Sequence, residues 1–397
     1  MLKYFILLNL TIFFCFCSCD TTTQSNSYKV KIISTPVLDS SAQPYLFTDK
    51  NEKIFLSWIE KHNKESTLKF STYIYNNWTT PLKIATGNNW FVNWADYPVI
   101  ATIGEKNMIA LYLEKSGPST FSYDVKYRLT NDEGKSWDSA RFLNEDGKQA
   151  EHGFISVQPF GEKYFISWLD GRNTGKEKMD GHGQMTLRAA TLLKNGTKEA
   201  EWELDNKVCD CCQTTVTITK NGPVVIYRDR SDEEIRDISI VRMVNGRWTK
   251  PQTIYTDKWK ISGCPVNGPR ADALNNNLAI AWFSIKDEKP EVKVVFSKDG
   301  GATFNTAIKI DEGQPIGRVD LQMLDENTAI VSWMEGSEIK AIRVNRDGSK
   351  GQSIVISNSS ETRSSGFPQM TKSGNKILFA WTDNIQKTIK IASLEIK

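Results

Sequence analysis

One short apolar pattern recurs seven times along this 397-residue chain, and no other feature restricts the fold as much. It runs Ile54-Phe55-Leu56-Ser57-Trp58, Met108-Ile109-Ala110-Leu111-Tyr112, Tyr164-Phe165-Ile166-Ser167-Trp168 and Val224-Val225-Ile226-Tyr227. It returns as Leu278-Ala279-Ile280-Ala281-Trp282, Ala329-Ile330-Val331-Ser332-Trp333 and Ile377-Leu378-Phe379-Ala380-Trp381. The closing aromatic residues stand 48 to 59 positions apart. Runs this short, rich in β-branched and aromatic residues, read as buried strands and not as helices. Each has a strand before it, as at Val319-Asp320-Leu321-Gln322, and one after it, as at Val292-Lys293-Val294-Val295-Phe296. A turn and a fourth strand follow, as at Thr306-Ala307-Ile308-Lys309-Ile310. Four antiparallel strands per unit of about 50 residues is the pattern of a propeller blade. The expectation is therefore all-β: a seven-bladed β-propeller of four-stranded antiparallel blades, with six blades as the alternative count. The last unit lacks a fourth strand, and an unpaired one stands at the other end, Tyr28-Lys29-Val30-Lys31-Ile32-Ile33. That strand is predicted to complete the last blade and close the ring, leaving only short edges.

The first residues read as an export signal. Lys3 supplies a positive start, and an apolar run reaches Phe16, shorter than the roughly 20 residues a membrane span needs. It ends in Phe16-Cys17-Ser18-Cys19, which resembles the lipobox of bacterial lipoproteins and marks Cys19 as the lipidation site. The predicted organisation is a signal peptide over 1–19, a flexible tether over 20–27 and a propeller over 28–397. An exported cell-envelope lipoprotein follows, at the outer membrane or a periplasm-facing membrane surface and held to the bilayer only by its lipid. Fifty basic and 47 acidic residues leave a net charge of +3, with no basic block. Nucleic acid is a poor candidate partner for such a chain.

The turn between third and fourth strands carries a family mark. Thr130-Asn131-Asp132-Glu133-Gly134-Lys135-Ser136-Trp137 resembles the Asp-box of sialidase-like propellers, as does Ser297-Lys298-Asp299-Gly300-Gly301-Ala302-Thr303-Phe304. The defining positions are Asp132, Gly134, Trp137, Asp299, Gly301 and Phe304. The box is structural: its carboxylate can take N–H bonds across the turn, and glycine permits φ > 0. The resemblance implies a protein that binds or hydrolyses glycans, of the sialidase or glycoside hydrolase type. The Arg-Ile-Pro motif of sialidases has no counterpart, since Ser41-Ala42-Gln43-Pro44-Tyr45 holds no arginine, so no catalytic residue is carried over.

Loops entering first strands, and loops joining second to third strands, share one face of a propeller. The unusual residues of this chain collect there, mostly in blades three to five. The acid–base and nucleophile candidates are Asp96, Glu151, His152, Asp170 and Tyr227, with His182 nearby. A glycosidase needs two carboxylates flanking the bond, or a tyrosine nucleophile as in sialidases. Arg172, Arg228, Arg230, Arg236, Arg270 and Arg318, with Asn267, could hold an acidic sugar or other small acidic ligand. Arg172, Arg228, Arg230, Arg236 and Arg270 could instead pair with Asp170, Asp229, Asp232, Glu233, Glu234 and Asp237 as loop-ordering ion pairs. Trp90 and Trp94 fall outside the strand repeat and could stack on a sugar or pack internally.

Four cysteines lie beyond the signal: Cys209, Cys211, Cys212 and Cys264. In an oxidising compartment the expectation is disulfides, with no cofactor. The alternative is a thiolate site for copper or zinc, with His152 as a further ligand, or redox-active thiols. Three functions follow: a glycan-directed protein, a periplasmic or surface metal or redox protein, and a propeller that docks other proteins.

Overall fold

The second strand of every repeat is the buried one, and the rest of the architecture follows from it. The structure, a computed structural model, describes residues 29–174 and 183–396. The signal peptide, Cys19, the tether and His182 lie outside the described residues.

Seven antiparallel sheets are present. Their innermost strands are Ser41–Thr48, Val99–Ile103, His152–Phe160, Thr215–Thr219, Arg270–Leu274, Pro315–Asp325 and Gln369–Ser373. The count is seven blades, and the six-blade alternative falls. The seventh sheet takes its outermost strand from the start of the chain: Val30–Ile33 pairs with Thr388–Glu395, from Val30 opposite Leu394 to Ile33 opposite Ile391. The closing strand predicted from the unpaired N-terminal segment is thus in place. Among the described residues, no helix is long and apolar enough to cross a membrane.

Inside each blade the repeated aromatics are core. Trp58, Trp168, Trp282 and Trp333 are fully buried. A buried indole N–H needs an acceptor, and each finds a carboxylate. Trp58 donates to Glu60, Trp168 to Asp170 and Trp333 to Glu335, at 2.9, 2.8 and 2.8 Å, and Trp282 donates to Asp257 at 2.7 Å. In three of the four the acid stands two residues on in the same strand, at or near its end, so Asp170 occupies a position the fold itself repeats.

Between blades, inner strands are tied by side chains that accept a neighbour's backbone N–H. Asp96 takes Phe154 N–H at 2.8 Å, Ser156 takes Val216 N–H at 2.9 Å, Asp272 takes Met323 N–H at 2.8 Å and Asp320 takes Met370 N–H at 2.6 Å. The ring surrounds a central channel of about 310 Å³ lined by Tyr45, Arg270, Asp272, Asp320 and Gln369 among others. Burial pushes Asp320 up to about 6 against the pull of Arg270.

The turns at Asp132 and Asp299 are superimposable in their bonding. Asp132 accepts from Thr130 Oγ1, Ser136 N and Ser136 Oγ at 2.6, 3.0 and 2.6 Å. Asp299 accepts from Ser297 Oγ, Thr303 N and Thr303 Oγ1 at 2.7, 2.9 and 2.6 Å. Gly134 and Gly301 sit at φ +81 and +87, and a Cβ on either would lie 2.5 and 2.6 Å from Phe70 and Ile240 of the preceding blade. Trp137 packs edge-on against Phe70, fastening blade two to blade one.

Candidate functional site

Blades two, three and four bring most of the singled-out residues into one sector, in three adjoining clusters. The first forms where the inner strand of blade three begins beside the third strand of blade two, Tyr123–Thr130. Tyr123 O–H lies 2.7 Å from Glu151 Oε1 and 3.3 Å from Asp96 Oδ2. Its ring is fully buried, with Phe91 stacked on it at 3.9 Å and 9°. Gly153 makes the close approach possible, since a Cβ there would stand 2.0 Å from Asp96 Oδ2. Burial lifts Asp96 well above the ordinary carboxylate range, Phe154 N–H only partly opposing it. Burial also pushes Glu151 up to about 7, against the Tyr123 hydrogen bond and with help from Asp210 and Cys209.

Glu151 alone of these three reaches open space. With Asp210, Arg230, Gln149, Ser119 and Phe121 it lines a cavity of about 470 Å³. Arg230 is 3.3 Å from Asp210 and grips Glu234 at 2.7 Å. Phe121 is an exposed aromatic at its edge.

The second cluster surrounds His152, which is fully buried. Its Nδ1 is 3.1 Å from Tyr123 O and 3.4 Å from Asp124, and its Nε2 is 3.3 Å from Asp146 and 3.6 Å from Asp170. Asp170 is doubly bonded by Arg172 at 2.7 Å through Nε and Nη2. Burial opposes ionisation of Asp170, but Arg172 and His152 outweigh it and hold the group below its usual range. A buried, saturated ion network of this kind orders loops.

The third cluster is the cysteines. Cys209, Cys211 and Cys212 are buried, with Sγ atoms within 4.8 Å of one another, while Cys264 is exposed. The expected disulfides are absent: all four are free thiols. Cys209 Sγ and Cys212 Sγ lie 3.4 Å apart, at contact and not bonding distance. The physical alternative to a bond is visible at Cys209, where Arg236 Nη1 donates to sulfur at 3.2 Å. Burial pushes the Cys209 thiol up, but bonds from Cys211 and Cys212 and the Arg236 charge hold it well below the ordinary range. His152 belongs to the carboxylate cluster and is not among the groups gathered around the sulfurs.

The remaining arginines are turned inward. Arg228, fully buried, gives its donors to the carbonyls of Asn267, Arg236 and Phe283 and lies over Trp259. Arg318 bonds the carbonyls of Glu361, Thr362 and Gly366. Arg236 pairs with Glu234 at 2.7 Å, and Arg270 donates to Tyr97 O–H and faces Asp320 in the channel. Asn267 accepts Arg318 N–H at 2.7 Å. Tyr227 is buried and bonded to Asp205. Trp94 stacks on Phe367 and Trp90 packs on Tyr112, so neither stands free as a sugar platform. Three residues at the centre of the sector, Tyr123, Asp124 and Asp146, escape a reading of the sequence. Tyr123 and Asp124 open a strand of blade two and Asp146 lies in the segment after it, where no unusual composition marks them.

No protein-family profile and no curated protein matches the chain. Solved structures do. The chain shares its fold with a polysaccharide lyase. That enzyme, Uly1, superposes with a TM-score of 0.55 at 8% identity, over 89% of this chain and 90% of that one. The NanB sialidase from Streptococcus pneumoniae is similar at TM-score 0.48 and 10% identity, over 92% and 94% of the two chains. An ulvan lyase bound to a glucuronate–sulfated rhamnose unit gives 0.47 and 11%, over 77% and 79%. At these identities the likeness is one of fold.

Proposed function

We propose that this protein is a glycan-directed propeller that takes a polar sugar into the cavity bounded by Glu151, Asp210, Arg230 and Phe121. The observation that carries the reading is Glu151, a carboxyl on the wall of a 470 Å³ cavity whose proton is held up to about pH 7. Such a group can give or take a proton at working pH. Asp210 supplies the second carboxylate that hydrolysis requires. Arg230 places a cation beside it for an acidic sugar, and Phe121 offers an apolar face. Tyr123, sealed beneath Phe91, serves as a positioning residue that orients Glu151. A glycan ligand agrees with the polysaccharide lyase activity of the structural neighbour Uly1. In the same reading the turns at Asp132 and Asp299 are Asp-boxes, and the chain is exported and anchored through a lipid on Cys19.

The test is a panel of sialosides and uronate-containing oligosaccharides, followed for turnover and by calorimetry. Binding or turnover that is lost in Glu151→Gln and weakened in Phe121→Ala supports the proposal. A panel with neither binding nor turnover sinks it.

A further inference from the structure

The glycan reading leaves the cysteine cluster without a role. Three thiols from one short loop, Cys209, Cys211 and Cys212, turn inward to a common point. Cys264, exposed on the loop entering the next blade, neighbours Cys211 and is the nearest further thiol to the trio. Structural cysteines of a core are scattered singly or joined in pairs. Three unbridged buried sulfurs within 4.8 Å of one another, with a fourth thiol on the exposed side beside Cys211, are a donor set.

We propose that Cys209, Cys211, Cys212 and Cys264 bind one soft d10 cation, copper(I) or zinc(II), as thiolates. A metal about 2.3 Å from each sulfur sets sulfurs about 3.8 to 4.0 Å apart in tetrahedral or trigonal geometry. The buried sulfurs stand 3.4 Å apart at Cys209 and Cys212 and within 4.8 Å for the whole trio, so small side-chain shifts suffice. All-sulfur donors select such cations over hard ones. The surroundings suit a site of net negative charge. Arg236, buried, places Nη1 3.2 Å from Cys209 Sγ, and its Nε has no hydrogen-bond partner. Arg228 is the neighbouring cation on the Cys212 side. On binding, each thiol releases its proton to solvent and forms one metal–sulfur bond, with no change of oxidation state. Asp210 stands between Cys209 and Cys211, so the cation also braces one wall of the glycan cavity.

The experiment uses protein isolated without oxygen, reductant or chelator. It is equilibrated separately with copper(I) and with zinc(II) against a chromophoric chelator. The expected result is one equivalent of one of them retained per chain. A sulfur-to-copper charge-transfer band identifies the copper case, and visible bands after cobalt(II) exchange identify the zinc case. Bound metal should also raise Tm. Cys264 is exposed, so Cys264→Ser should fold normally and bind at least tenfold more weakly. The double variant Cys209→Ser/Cys212→Ser should retain no metal. The site is overturned if neither ion is retained, if Cys264→Ser binds as tightly as the parent, or if intact mass after denaturing alkylation finds any of the four in a disulfide.

Discussion

Glu151 holds its proton because burial denies its charge the solvation it has in water, and the Tyr123 bond only partly compensates. A carboxyl raised from 4.5 to about 7 favours the fold while protonated. That contribution is complete below about pH 4.5 and is lost as pH rises through 7. Glu151→Gln should therefore flatten the fall in stability between pH 5 and 8, measured by urea unfolding at each pH. If Glu151 donates a proton in catalysis, activity falls across the same interval, and the glutamine variant loses that limb. Asp299 behaves oppositely. Burial opposes its ionisation, but the Thr303 and Ser297 bonds prevail and draw it down to about 2. Its stabilisation is present above the ordinary value of 3.8 and disappears as pH falls through 2. Asp299→Asn should remove part of the acid sensitivity between pH 4 and 2, read as a smaller drop in Tm. Gly153 is a third sensitive point. Gly153→Ala puts a methyl group against Asp96 and should cost about 1–3 kcal/mol. It should also shift the pH response of Glu151, because Asp96 and Tyr123 must move.

At the scale of strands, the tryptophan and its carboxylate form a unit that the chain reuses. Trp333→Ala would empty a core position and leave Glu335 without its indole donor. A loss of about 3–5 kcal/mol is expected from guanidinium unfolding. Trp333→Phe keeps most of the packing, and the difference between the two variants measures the packing itself. The same unit accounts for Asp170. Its position matches that of Glu60 and Glu335, acids in blades that carry no cluster of polar loops. Fold, and not chemistry, explains why an acid ends that strand. The residues gathered there at first sight as a catalytic group thus divide. Asp170, His152 and Arg172 hold blade three in shape, and Glu151 faces the cavity one residue before His152.

At the scale of the molecule, closure is the decisive feature. Each blade buries one face against the next, and Val30–Ile33 joins the start of the chain to its last blade. Removing residues 29–33 should expose the edge of Thr388–Glu395. An unpaired edge lowers stability and invites intermolecular pairing. The truncated chain is expected to unfold at lower temperature and to form larger species in light scattering, while the intact ring unfolds in one transition. Two coincident curves from intrinsic fluorescence and far-ultraviolet circular dichroism would establish that single transition.

The repeat was legible because a blade is local. Apolar runs ending in Trp58, Trp168 or Trp333 declare buried strands, and their spacing declares the number of units. Even ring closure could be read, since an unpaired strand at one end answered a missing strand at the other. The sector rich in Asp, Arg and Cys was also visible, because loops at equivalent places in neighbouring blades must share a face. What no spacing could reveal was the direction each side chain takes. Arg228 and Arg318 look like ligand clamps in a row of residues, yet they spend their donors on backbone carbonyls, most of them in the next blade. Tyr123 looks like any strand residue, yet its hydroxyl lies between Asp96 and Glu151, 27 and 28 positions away. The cysteines suggested disulfides, and packing instead left four free thiols, three of them buried around one point beside Arg236. Strand periodicity depends on near neighbours, so the chain alone determined the propeller. Burial, charge pairing and proton affinity depend on groups brought together from separate blades, so only the tertiary structure decided the site.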